Sequence, residues 1–149
     1  MARPLKIVIC LLLCGQIIGR AAVAQSIALD DAYEEYLSSI RVPVEEALTT
    51  LSLARCYFES RLDESNVYVA VILRDDNGRW EQVLIRVLQW DDDVISGELA
   101  STMTLIEGFP LGSLFVVDSD RVVDWLHVRG DGRVDGNYIP IFLQRINDN

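Results

Sequence analysis

The stretch Gly112–Tyr138, GSLFVVDSDRVVDWLHVRGDGRVDGNY, decides how this chain is read. Two short β-type runs, Leu114 to Val117 and Val122 to Arg129, flank an Asp118-Ser119-Asp120 turn. Gly130-Asp131-Gly132 turns the chain again. At the centre stand an acid and an indole side by side, Asp124 and Trp125. Neighbouring side chains on a strand point to opposite faces. Trp125 is therefore expected to fill a core. Asp124 is expected to brace a backbone turn or to pair with Arg121 or Arg133. The competing reading places a ligand here, held by Asp124 and stacked on the indole. Alternation favours the first.

Upstream, the pattern continues as β structure. Val67 to Leu73 is apolar on both faces, as a central strand is. Asp75-Asp76-Asn77-Gly78 predicts a hairpin, because Asn-Gly accepts positive φ. The return strand runs from Trp80 to Trp90, and a third covers Val94 to Ala100. Ser101 to Gly112 is the longest irregular stretch. Before the strands, Leu29, Ala32, Tyr33, Tyr36, Leu37 and Ile40 keep the spacing of one helix face. Val42-Pro43 then punctuates, and Pro43 is placed to open a second helix ending near Arg61 to Ser65. Tyr138 to Ile146 reads as a short helix or an edge strand. The fold expected is α+β: two N-terminal helices packed on one face of an antiparallel sheet of about five strands, closed by that last piece.

The N-terminus reads as a secretory signal peptide over residues 1–24. Arg3 and Lys6 precede an apolar run from Ile7 to Ile18, and Ala22-Val23-Ala24 is a small-x-small cleavage site. The apolar run falls short of the roughly 18–20 residues that span a bilayer, so stable membrane insertion is not expected after cleavage. Residues 25–149 are expected to form one domain, periplasmic or secreted. The whole chain carries a formal charge of −10, and its only lysine is Lys6. Acidity of this size argues against nucleic-acid binding, which needs clustered cations. It favours a basic protein partner.

Catalytic chemistry finds little to use. His127 is the only histidine, and no nucleophile motif accompanies it. It is read as a strand residue rather than a general base. Asp131 and Asp135 carry the spacing of a partial calcium loop, but Arg133 lies between them and no acid follows at the twelfth place, Phe142. Turn chemistry explains these residues better. Once Cys10 and Cys14 leave with the signal peptide, Cys56 is alone and is read as a buried small hydrophobe. No metal and no cofactor is expected.

The segment from about Val67 to Leu143 resembles the DUF2314 family of bacterial proteins. The resemblance rests on Glu81-Gln82-Val83-Leu84-Ile85, on Ile95-Ser96-Gly97-Glu98-Leu99, on Leu111-Gly112 through Val117, on Val122-Val123-Asp124-Trp125, and on Gly132, Gly136 and Tyr138. It implies a fold and no activity. Gln82 stands where the family often has His, and Leu84 where it often has Trp. Two functions are thus expected in competition. One is a non-enzymatic module for a protein partner, inhibitor-like or immunity-like. The other is a small-ligand or hydrolase-type site around Asp124, Trp125, His127, Asp135 and Tyr138.

Overall fold

The computed structural model describes residues 10–60 and 65–148, with side chains from residue 29 onward. The expected segment 1–24 lies outside the described residues over its first nine positions, and the remainder is described as backbone alone. No helix among the described residues is long and apolar enough to cross a membrane.

The chain is α+β, with two N-terminal helices, an antiparallel sheet and a C-terminal helix. Helix α1 spans Cys10–Thr49 and α2 spans Leu51–Ser60. Six strands follow: β1 (Asn66–Arg74), β2 (Trp80–Asp91), β3 (Val94–Leu99), β4 (Leu114–Asp118), β5 (Val122–Val128) and β6 (Val134–Gly136). Helix α3 spans Tyr138–Asn147, which settles the last piece as a helix. The sequence reading missed β6, a strand of three residues after a Gly-rich turn.

Pro43 does not end a helix. It lies inside α1, and the break comes seven residues later, at Thr50. An interior proline removes one helical hydrogen bond and costs about 3 kcal/mol. Packing offsets that cost: Pro43 is fully buried, and so are Ile40 and Ala47 one turn to either side. At Thr50 the side chain itself competes with the helix. Its hydroxyl lies 3.2 Å from the carbonyls of Glu46 and Ala47, and its N–H turns back to Ala47 at 3.2 Å.

The sheet order is β4-β3-β2-β1-β5-β6. β1 is central, as its two-sided apolar sequence requires, with Val69 paired to Ile85 on one side and to Trp125 on the other. β4 and β5 stand four strand positions apart, about 19 Å on a flat sheet. The chain from Asp118 to Val122 reaches about 14 Å at most. The sheet must therefore curl to bring the two together. Bulges at Ala70/Val71 and Val87/Gln89 supply the extra twist. A single 3-10 turn, Ser119–Arg121, makes the crossing.

The concave face holds the core. Val69, Val83, Ile85, Ile95, Leu99 and Trp125 meet there beneath Ala47 and Ala54. The N-terminal part of α1 also reaches the opposite face. Tyr36 stacks on Trp80 at 4.7 Å and donates its hydroxyl to Gln82 Oε1 at 2.6 Å. By strand alternation Gln82 points away from Val83 and the core. Arg74 pairs with Asp30 and covers the Tyr33 ring, fastening α1 to the β1–β2 hairpin. In that hairpin Asp75 accepts the N–H groups of Asn77 and Arg79, and Gly78 takes φ +79°.

Candidate functional site

Asp124 and Trp125 sit on opposite faces of β5, as alternation requires. Asp124 pairs with Ala70 and Trp125 with Val69. Both are buried, each 2 % exposed. Trp125 enters the core and donates Nε1–H to the Ala47 carbonyl and to Thr50 Oγ1, both at 3.1 Å. The indole thus adds a donor to the Ala47 carbonyl, which also accepts the Thr50 N–H, and ties β5 to the end of α1. Tyr138 completes this contact. Its ring meets the indole edge-on at 6.1 Å, and its hydroxyl lies 2.8 Å from Thr50 Oγ1.

Asp124 is the cap of α3. The residue at the cap position, Asn137, has a left-handed backbone and makes no side-chain capping bond. The Asp124 carboxylate takes that role from β5. It accepts N–H from Tyr138 at 3.1 Å, from Ile139 at 2.9 Å and from Trp125 at 2.8 Å. A helix N-terminus presents unpaired N–H groups and a positive dipole end, and a carboxylate answers both. Burial pushes the Asp124 carboxyl above its ordinary range, and the three N–H groups oppose that shift. Burial and the Asp124 charge together push the Tyr36 phenol up. The expected partners Arg121 and Arg133 are not used. Arg133 pairs with Asp131 at 2.6 Å.

His127 lies on the Trp125 face, paired with Val67. It is fully buried, with its ring stacked on Tyr57 at 4.2 Å. Nδ1 faces Asp135 Oδ2 at 3.2 Å. Asp135 is gripped twice by Arg129, at 2.7 Å on each oxygen. Arg129 and then His127 hold the Asp135 carboxyl below its ordinary value, although burial alone would raise it. The other ring nitrogen, Nε2, is buried without a hydrogen-bond partner among the described residues.

The five residues singled out by sequence therefore do not form one cleft. His127 meets Asp135, and Trp125 meets Tyr138. Asp124 sits on the far side of β5, committed to α3. The Asp131–Asp135 calcium reading also loses its ligands, since each carboxylate already holds an arginine. Among the described residues no three His, Cys, Asp or Glu side chains gather as a metal site would need. Cys56 is exposed rather than buried, because it falls on the outer side of α2.

One carboxylate escaped attention. Glu81 accepts N–H from Thr104 at 2.8 Å, from Leu105 at 2.9 Å and from Ile106 at 3.4 Å, together with the Thr104 hydroxyl at 3.1 Å. Burial would raise its carboxyl, but these donors hold it below its ordinary value. Glu81 thus ties the long 101–112 loop to β2. An acid at the start of a strand carries no such signal in sequence.

Comparison with protein-family models, curated proteins and solved structures found no match.

Proposed function

We propose that this chain is an exported, DUF2314-like, non-enzymatic module that binds a basic protein partner, inhibitor-like or immunity-like in action. The observation that carries this reading is where polar groups are committed and where they are not. Asp124, His127 and Asp135 spend their hydrogen bonds on α3, on each other and on Arg129. In contrast, Asp93, Asp118, Ser119 and Asp120 line an open recess at the end of β4. No ion pair among the described residues uses those three carboxylates. The formal charge of −10 extends this local acidity to the whole chain. Long-range attraction of this kind speeds encounter with a cationic surface and weakens with salt.

The order and spacing of the Gly-centred strand, the Asp-Trp pair and the closing glycines support the family reading. The signal-type N-terminus supports export to the periplasm or beyond. A small-ligand or hydrolase-type site at Asp124, His127 and Asp135 has less support, because those side chains do not share a face. The test is capture from periplasmic extract on immobilised protein at low salt. Saturable retention that salt releases is expected. Absence of any saturable protein partner would sink the reading.

A further inference from the structure

The sheet has two edges, β4 and β6, and β4 is the longer, five residues against three. Its register with β3 shows which backbone groups are free. Leu99 N–H bonds Ser113 O, and Ser119 N–H bonds Asp93 O. Antiparallel pairs alternate between bonded and non-bonded positions. The odd residues Ser113, Phe115, Val117 and Ser119 therefore turn toward β3. Leu114, Val116 and Asp118 turn their N–H and C=O groups outward. Two of these three side chains are large and apolar, and they are 78 % and 71 % exposed at Leu114 and Val116. Natural edge strands are usually blunted by lysine, proline, a bulge or a cover. The β4 strand contains no lysine or proline and pairs with β3 without a register shift.

We infer that the β4 edge is the docking site of this module, and that its occupant is an extended basic segment of another protein, added as a further strand. The inference rests on the partner-binding reading above and gives it a place and a geometry. Strand addition supplies backbone hydrogen bonds, and alternate side chains supply specificity. Apolar residues of the incoming strand lie beside Leu114 and Val116. A cationic residue at the end of the same strand enters the recess of Asp93, Asp118 and Asp120.

Charge selects the occupant. From Ser101 to Asp120 the chain has no lysine or arginine, whereas Glu107, Asp118 and Asp120 are acidic. A second copy paired edge to edge adds three more acids from the same segment and no lysine or arginine. Within the chain, Arg121 follows Asp120 in the crossing turn and forms no ion pair among the described residues, and Arg55 is engaged by Glu59 and by the Asp92 carbonyl. A foreign basic strand answers both the free backbone groups and the charge.

The test uses a short labelled peptide that alternates valine and threonine and ends in two arginines. A control peptide ends in two glutamates. Fluorescence anisotropy at low salt should show the arginine peptide binding at least tenfold tighter. Val116→Pro removes an outward N–H at an exposed position and should weaken binding at least tenfold with the unfolding midpoint retained. Val116→Lys keeps the backbone and serves the same purpose if the proline variant does not fold. The pair Asp118→Asn and Asp120→Asn should remove the preference for arginine. Equal binding of both peptides, or unchanged binding by the folded Val116 variants, overturns the proposal. So does a wild-type dimer in sedimentation that Val116→Lys dissolves, since the occupant is then a second copy. If Val116→Pro still captures a saturable partner from extract, the edge is refuted and the binding module stands. If the wild type binds neither peptide and captures nothing, both fall.

Discussion

The two edges of the sheet are built on opposite plans. At the β6 edge three residues suffice, and the carboxylates are committed. Asp135 locks to Arg129 and His127, Gly136 lies flat on Trp125, and α3 starts immediately afterwards on the Asp124 carboxylate. At the β4 edge, Leu114, Val116 and Asp118 face solvent and turn their backbone groups outward. The residues that stand out in the sequence hold the fold together. The residues that do not stand out are the ones left available.

Substitutions can break that contrast, and the largest effect is expected at Trp125. Trp125→Ala removes a buried indole and its bonds to Ala47 and Thr50, and should cost about 3–5 kcal/mol in denaturant unfolding. Gly136→Ala comes next. Gly136 has φ +79°, and an added Cβ would run into the Trp125 carbonyl and ring. Overpacking of this kind should cost about 1–3 kcal/mol by the same measurement. A tolerant Gly136 would mean that β6 is not held against Trp125.

Asp124→Asn should cost about 1–3 kcal/mol, because an amide NH2 then faces the Ile139 or Tyr138 N–H. Its pH dependence sharpens the point. The Asp124 carboxyl is raised above its ordinary value of 3.8 in the fold. The protonated form is therefore favoured, and its contribution is complete below the unfolded value and fades as pH rises through the folded one. The stability gap between wild type and Asp124→Asn should narrow as pH climbs through that window. Unchanged stability with lost partner binding would restore Asp124 as a binding residue.

Asp135→Asn should show the opposite sign and a smaller effect. Its carboxyl is lowered by Arg129 and His127, so its contribution is present above the unfolded value. It disappears as pH falls through the lowered one. The wild type should lose this increment in acid and the variant should not. At the other edge, Val116→Lys should change stability by no more than about 0.5 kcal/mol, as an exposed substitution away from any committed contact does. A large loss there would mean that β4 is part of the folding core.

Much of this contrast was legible beforehand, for stated reasons. β1 read as central because both its faces are apolar, and it pairs on both sides. Asp-Trp read as brace and anchor because strand alternation separates the two side chains. Pro43 misled because its local penalty is outweighed by burial among Ile40 and Ala47, which no local pattern reveals. Cys56 misled because helical spacing gives a face but not which face packs. The partners of Asp124 were missed because they lie 14 and 15 residues away, on a helix whose own cap residue makes no side-chain bond. The β4 edge was invisible for a different reason. Leu114 to Val117 reads only as a short strand, and its place at the edge follows from the strand order.

That strand order also sets a sequence of events in time. β1 finds β2 at once, through a tight hairpin, but its other flank waits for β5. A chain made from its N-terminus therefore carries its most apolar strand with one side unclosed until Val128 has emerged. Partly assembled chains with such open flanks are prone to misassociate. The three-residue passage through Ser119–Arg121 is then a closing latch, and lengthening it should prolong the vulnerable interval more than it weakens the finished fold.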